Sequence, residues 1–309
     1  MPNVLFAALP ERWAQYEAPL RAAFEEVGVS ADLQLDFPPE QVDYIVYAPN
    51  SDVQDFTPFT RLKAVLNLWA GVEAVVNNPT LNVPLARMVD PALTQGMVEW
   101  VTGHTLRHHL GMDAHIHAQP GEWTNVAPPV AWERKTTILG LGELGRACAE
   151  SLAHLGFQVS GWSQSPKSIA GVACYYGEDG LRAALDGAEI VTLLLPDTPD
   201  TENTLNAKTL SYLAKGAVIL NPGRGPLIDD DALLAALDTD QIGHATLDTF
   251  RVEPLPADHP YWHHPKVTVT PHIASETRAA WSSKTIAENI RRGEAGEPFL
   301  HLVDRQRGY

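Results

Sequence analysis

The sequence predicts an α/β fold made of two doubly wound parallel-sheet domains with a cleft between them. Three observations carry that prediction. Short apolar, β-branched runs of strand length alternate with amphipathic helical stretches, the pattern of a parallel sheet covered by helices. Residues 136–165, TTILGLGELGRACAESLAHLGFQVSGWSQS, set three glycines in a strand–turn–helix–strand context. Farther on, three successive strands are each followed by one titratable residue: Arg224, Glu253 and His272.

Taken in order, Val4–Leu9 reads as a buried strand and Trp13–Val27 as a helix closed by Gly28. Val42–Ala48 and Lys63–Leu68 are further strands, and Val83–Leu85 ends another. A long helical stretch, MVEWVTGHTLRHHLGMDAHIHA, begins near Met97, and Pro120-Gly121 breaks it. The Pro-containing segment Val126–Val130 then leads to the strand Thr137–Leu139 and the glycine turn. The helix after the turn runs through Leu152, His154 and Leu155 to Gly156. A second strand, from Phe157, reaches Gly161-Trp162-Ser163. Glu189–Leu195 and Ala217–Leu220 are strands, Asn206–Leu213 and Asp229–Leu237 helices, and Ala245–Leu247 and Val267–Thr270 short strands. The last helix, Glu276–Arg292, is expected to return to the first domain. The expected division is 1–97 with 281–309 for a substrate domain, and 98–280 for a dinucleotide-binding domain.

At 309 residues the chain is long enough for two cores. A content of 45% hydrophobic and 19% charged residues is that of an ordinary globular protein. The net charge of −16 disfavours nucleic acid and anionic lipid as partners. Two cysteines, Cys148 and Cys174, make no disulfide framework, and Cys148 falls where a helix needs small core filler. The N-terminal apolar run is short for a signal peptide and lacks a basic flank, and the longest later one, Ile190–Leu195, has strand length. A cytoplasmic protein with no membrane span is therefore expected. His104 and His108 stand at i, i+4, with His109, His115 and His117 nearby, but no carboxylate sits between the pair. They read as a polar or subunit-facing helix face, with Trp100 and Leu106 on its buried side, and no metal site is expected.

The glycines carry the first chemistry. Gly140 makes a tight turn, Gly142 lets the backbone approach a pyrophosphate, and Gly145 lets helix and strand pack closely. Glu143 and Leu144 open the helix, whose free N–H groups and positive dipole end suit phosphate. About 20 residues on, where a dinucleotide fold usually carries an acidic ribose ligand, stands Ser163. Without a carboxylate to repel a 2′-phosphate, and with Gln164, Ser165 and Lys167 as donors, NADP(H) is preferred and NAD(H) remains possible. His272 suits an acid/base at a carbonyl oxygen, because imidazole titrates near neutrality. Glu253 would fix its tautomer, and Arg224 would bind a carboxylate or carbonyl oxygen in two-pronged fashion. Arg87 either adds positive charge to the cleft or pairs with Asp90.

The motifs GLGELG, NPGRG, LDTFRVEP and TPHIA, with LLPDTPDT at 194–201, resemble those of the D-isomer-specific 2-hydroxyacid dehydrogenases. The resemblance covers nearly the whole chain. It implies a Rossmann cofactor domain and a flavodoxin-like substrate domain. It also implies substrate binding by Arg224, orientation of the histidine by Glu253, proton transfer by His272 and a nicotinamide contact for Asp248. Leu195, Pro196, Pro222 and Gly223 would line the cofactor. Trp69-Ala70-Gly71-Val72 would bind the substrate carboxylate through backbone N–H groups, and Gly71 suits such a turn. The loop His259–His264, with Trp262, would cover the catalytic pair. Within the family, WSQS at 162–165 and NLWAGV at 67–72 look most like the glyoxylate/hydroxypyruvate reductase A group, which usually carries Arg where Gln164 stands. The implied activity is NAD(P)H-dependent reduction of glyoxylate and hydroxypyruvate by a homodimer. A reductase of bulkier 2-oxo acids is one alternative, and a dinucleotide-sensing regulator on the same fold is another.

Overall fold

The computed structural model describes residues 1–117, 121, 123 and 125–309. They form two compact units, Met1–Leu93 with Glu276–Tyr309, and Thr94–Ser275.

The first unit is built on strands β1 (Asn3–Ala7), β2 (Asp32–Gln34), β3 (Tyr44–Tyr47), β4 (Ala64–Asn67) and β5 (Leu85–Ala86). They lie in the order β2-β1-β3-β4-β5, all parallel. Side chains alternate across a strand. Val4 and Phe6 of β1 therefore pack on α1 (Pro10–Glu26) and α8 (Ala279–Ala295), whereas Leu5 and Ala7 pack on Val72, Val75, Val76 and Leu81. Burial on both faces explains why these strands read as continuous apolar runs. Helix α1 starts before the expected Trp13, because Pro10 fits a first turn that needs no N–H. It closes at Gly28, whose φ is +72°. The last helix packs on this unit through Ile286, Ala287 and Ile290. A Cβ at Gly293 would stand 2.3 Å from the Tyr44 hydroxyl, so only glycine allows this approach.

The second unit holds β6 (Lys135–Leu139), β7 (Gln158–Ser163), β8 (Val172–Tyr176), β9 (Ile190–Leu193), β10 (Ala217–Asn221), β11 (Ile242–Leu247) and β12 (Val267–Val269). Their order is β12-β11-β10-β9-β6-β7-β8, again all parallel. The chain starts at β6, winds out through β7 and β8, then returns to β9 and winds out the other way. The strand order thus reverses between β6 and β9, the place where such sheets bind ligands at their carboxyl ends. Ile138 of β6 packs with Cys148, Ala149 and Leu152 of α4 (Glu143–His154) and with Met97 and Val101 of α2 (Pro91–His109). Its neighbour Leu139 shares the other core with Leu185 of α5 (Gly177–Leu185), Leu210 of α6 (Ala207–Leu210), and Leu233 and Leu237 of α7 (Asp230–Asp238).

Several boundaries differ from the sequence expectation. Helix α2 starts at Pro91, not Met97, because Asp90 Oδ1 accepts from the Ala92 and Leu93 amides at 2.8 and 2.9 Å and caps it. Gly111, with φ +62°, parts α2 from α3 (Met112–His117), so the long helical stretch breaks before Pro120. Pro120 itself and the side chain of His117 lie outside the described residues. The helix expected over Asn206–Leu213 is a single short one, the strand expected to end over Val83–Leu85 is β5, and β2, β8 and α5 have no counterpart in the sequence reading. The three residues of β2 are too short a run for periodicity, and β8 is a half-exposed edge strand.

The side chain of His108, on α2, packs inward against β11. His108 Nε2 lies 2.9 Å from Thr246 Oγ1 of β11, and His244 Nε2 lies 2.9 Å from Thr268 Oγ1 of β12. The two rings stand 4.8 Å apart. Arg107 donates to Thr268 Oγ1 at 3.0 Å and pairs with Asp113 at 2.7 Å, while Trp100 stacks against His104 at 4.3 Å. Burial, then the positive neighbours, push His108 down to about 3 and His244 down to about 4. Among the described residues no three His, Cys, Asp or Glu side chains are grouped to hold a metal.

Both histidines take up protons near pH 6.5 when unfolded but only near pH 4 and below when folded. Stability should therefore fall as pH drops from about 6.5 towards 4, by up to about 1.4 kcal/mol per pH unit for each histidine. Urea unfolding across this range should show a shallower fall for His108→Gln than for wild type. Equal slopes would mean that His108 is not buried neutral.

Candidate functional site at the carboxyl ends of the seven-stranded sheet

Strands β10, β11 and β12 are neighbours, so the segments that follow them share one end of the sheet. After β10, Asn221 ties the turn: its Nδ2 donates to Arg224 O at 2.9 Å and its Oδ1 accepts from Gly223 N at 3.2 Å. A Cβ at Gly223 would stand 2.7 Å from Leu193 O, and one at Gly225 would stand 2.0 Å from the Phe250 carbonyl carbon. The two glycines thus let the Arg224 turn lie directly against β9 on one side and the segment after β11 on the other. Arg224 Nη1 donates to Gly223 O at 2.7 Å.

Asp248 follows β11 and is wholly buried. Its Oδ1 accepts from Thr270 Oγ1 at 2.5 Å and from Ile273 N at 2.9 Å, and its Oδ2 accepts from Ala274 N at 2.9 Å. Its backbone carbonyl takes the His272 amide at 2.8 Å. The segment after β12 is therefore wrapped around one carboxylate, with His272 at its crest. There the histidine adopts φ +54°, a left-handed conformation rare for a side chain with a Cβ and held by these bonds.

The ring that this backbone presents meets Glu253. His272 Nδ1 lies 2.7 Å from Glu253 Oε2, while Glu253 Oε1 accepts from Phe250 N at 2.9 Å. A carboxylate only accepts, so Nδ1 carries the hydrogen and Nε2 is the nitrogen left to exchange a proton. The histidine side chain is 48% exposed, so that nitrogen can be reached. Of the sequence-predicted trio, Glu253 and His272 touch, and Arg224 stands on the adjoining segment of the same sheet end.

At the switch point, Gly140 has φ +104°, and a Cβ there would stand 2.4 Å from Leu194 O. At Gly145 a Cβ would stand 1.7 Å from Gly140 O. Gly142, the residue before α4, has open space over its Cα, so only backbone separates the helix N-terminus from an incoming group. Glu143 begins that helix and Leu144 is half-buried beside it. The Leu195-Pro196 segment continues β9, with Pro196 O accepting from Thr201 Oγ1 at 2.7 Å. At the end of β7, Ser163 is buried and donates its hydroxyl to Ser165 O at 2.8 Å. Its neighbours Gln164, Ser165 and Lys167 are exposed.

In the first unit, Trp69–Val72 and Arg87 follow the adjacent strands β4 and β5. Buried Asn67 donates from Nδ2 to both Trp69 O and Gly71 O at 2.9 Å. In a trans peptide the N–H points opposite to the C=O, so the Ala70 and Val72 amides are turned away from Asn67. Asp90, the alternative partner of Arg87, caps α2 through Oδ1. Trp262 is half-exposed and pinned by its indole N–H to Pro256 O at 3.0 Å.

Sequence reasoning missed the positioning roles of Asn67 and Asp248, as well as Arg251. The guanidinium of Arg251 donates to Glu202, Asn203, Pro226 and Ile228. A polar residue at or just past the end of a buried strand was the available signal for the first two. Nothing in the spacing marked the third.

A sequence model described as the NAD-binding domain of D-isomer specific 2-hydroxyacid dehydrogenases matches residues 103–274. A glyoxylate/hydroxypyruvate reductase A of Serratia proteamaculans is 40% identical over 257 residues, 81% of this chain and 82% of that one. A D-isomer specific 2-hydroxyacid dehydrogenase from Xanthobacter autotrophicus, solved with NADPH and MES, superposes with TM-score 0.93 at 40% identity, covering 100% of this chain and 99% of that one. An NADPH-dependent glyoxylate/hydroxypyruvate reductase from Sinorhizobium meliloti, solved with NADP and sulfate, superposes with TM-score 0.87 at 35% identity, and each chain is covered in full.

Asp248→Asn would set an amide NH2 group against the N–H of either Ile273 or Ala274. The loss of one buried acceptor should cost about 1–3 kcal/mol of stability, measurable in urea unfolding. An unchanged midpoint would show that the segment after β12 does not depend on this carboxylate.

Proposed function

Because the chain belongs to the D-isomer-specific 2-hydroxyacid dehydrogenase family, we propose that it reduces small 2-oxo acids, glyoxylate and hydroxypyruvate, to 2-hydroxy acids with NADPH. The observation that carries this reading is the 2.7 Å contact of His272 Nδ1 with Glu253, which leaves Nε2 to donate a proton at the sheet end that also carries the Arg224 turn.

The residues present fit a dinucleotide. The space above Gly142 and the close contacts at Gly140 and Gly145 make a backbone cradle at the start of α4. These glycines, with Glu143 and Leu144, are assigned to the pyrophosphate. Leu195, Pro196, Pro222, Gly223 and Asp248 are assigned to the nicotinamide end. Bound NADPH supplies the hydride that the carbonyl carbon receives. Arg224 binds the carboxylate or carbonyl oxygen of the substrate and holds it in line, which lowers the entropic barrier. His272 gives its Nε2 proton to the oxygen, and Glu253 steadies the imidazolium that donates it. The Ala70 and Val72 amides offer a carboxylate-binding turn on their own unit, and Arg87 adds positive charge at the same strand ends. The Xanthobacter and Sinorhizobium structures with NADPH and NADP support the phosphorylated cofactor.

Exposed Ile116, Trp123, Val126 and Trp132 support association of two copies into a homodimer. No described helix is long and apolar enough to cross a membrane. The two free cysteines, Cys148 and Cys174, support a cytoplasmic location.

Oxidation of NADPH on addition of glyoxylate tests the reading directly. His272→Asn should bind NADPH as wild type does and lose at least about 100-fold in kcat. A variant within threefold of wild type would remove His272 from the mechanism.

The cofactor preference has its own test. The Ser163 hydroxyl is spent within its turn, so Gln164, Ser165 and Lys167 are left to meet a 2′-phosphate. One exposed charge contact is worth about 1 kcal/mol, so the preference for NADPH should be modest. Ser163→Asp should reverse it, by adding a ribose acceptor and a like charge against the phosphate. An unchanged NADPH/NADH ratio of kcat/KM would show that Ser163 is not at the ribose.

A further inference from the structure

Arg251 lies two residues from Glu253 and its guanidinium gathers acceptors from two stretches of chain, 202–203 and 226–230. Nη1 donates to Glu202 Oε1 at 3.2 Å, and Nη2 donates to the Asn203 side chain. Nη2 also donates to Ile228 O at 2.7 Å and Pro226 O at 3.3 Å, just beyond the Arg224 turn. Nε stands 3.7 Å from Asp230 Oδ2, at the start of α7. From the far end of the same loop, Tyr261 donates its hydroxyl to Asp230 Oδ1 at 2.9 Å. The loop that carries Glu253 is thus fastened to Asp230 at both ends. A second observation, independent of the guanidinium, places the two segments in direct contact. The missing Cβ of Gly225 would stand 2.0 Å from the Phe250 carbonyl carbon and 2.2 Å from Arg251 N.

Two functional side chains depend on this fastening. Glu253 Oε1 is held by the amide of Phe250, the residue before Arg251. Arg224 precedes the 226–228 carbonyls that Arg251 grips. We propose that Arg251 is a positioning residue for the reduction, clamping the Glu253 loop to the Arg224 turn so that the carboxylate stays on His272. This inference rests on the function assigned above. A planar guanidinium suits the task because its five N–H groups fan out in fixed directions, whereas an ammonium is a single point of charge.

Two effects of removing Arg251 have opposite signs and can be told apart. Loss of a positive charge alone would make the His272 ring easier to protonate. Loosening of Glu253 would make it harder, because the carboxylate that favours the imidazolium moves away.

The test is NMR titration of the His272 ring, assigned by its disappearance in His272→Gln, together with NADPH-linked glyoxylate kinetics. Arg251→Met should move the His272 midpoint to lower pH by about half a unit or more, the scale of a weakened charge contact. Its kcat should fall about tenfold, roughly a 1.4 kcal/mol effect, with KM for NADPH within about twofold. Arg251→Lys should shift both in the same direction but less far, and it carries the test if Arg251→Met does not fold. A midpoint that stays or rises overturns the proposal, as does an unchanged kcat in a variant whose midpoint has fallen. If wild type reduces no 2-oxo acid, the functional assignment fails, and the midpoint alone decides whether Arg251 positions the pair.

Discussion

The buried carboxylate of Asp248 is the constraint on which the functional end of the seven-stranded sheet depends. A charge without exposed surface is costly unless donors surround it. Here they come from Thr270, Ile273 and Ala274, which bracket His272 on both sides. The backbone carbonyl of the same residue takes the His272 amide. Satisfying Asp248 therefore dictates the path of the segment after β12, including the left-handed turn at His272. The histidine ring is half-exposed, but its backbone is tied to the core of the sheet through this neighbour.

Parallel strand order converts that local constraint into a site. Because β10, β11 and β12 are adjacent and run the same way, their following segments meet at one end. Glycine then sets how closely they meet. Gly225 lets the Arg224 turn touch the Phe250–Arg251 peptide, and Gly140 lets the glycine turn touch Leu194 at the end of β9. In each case a single methyl group would force the segments apart. The His272–Glu253 pair and the glycine cradle are thus kept at one sheet end by close backbone contact, with few direct bonds between functional side chains.

What the sequence made legible follows from what periodicity and motif can encode. The glycine turn was readable because three glycines, a strand and a helix had to coincide, and its shape follows from close backbone contacts at Gly140 and Gly145 and open space at Gly142. The pairing of Glu253 with His272 was readable because each followed a recognisable strand. The inward-facing histidines were not, since His104 and His108 repeat at helical spacing whichever face is buried. The partner of His108, Thr246, lies on a strand more than a hundred residues away in the chain. Arg251 escaped for a related reason: two of its acceptors are backbone carbonyls, which leave no trace in side-chain patterning. The early start of α2 was within reach, because Asp90-Pro91 is a cap followed by a first-turn proline.

The central claim is that the carboxylate of Glu253 keeps a donatable proton on His272. The most direct measurement is the pH dependence of kcat/KM for glyoxylate reduction in wild type and Glu253→Gln, which reports ionisation of the free enzyme. The amide introduced by this substitution can still accept a hydrogen bond but no longer stabilises the imidazolium by charge. The alkaline fall in rate should move to lower pH by about one unit or more, the usual effect of losing an opposite charge at this range. Superimposable profiles for the two proteins would contradict the account.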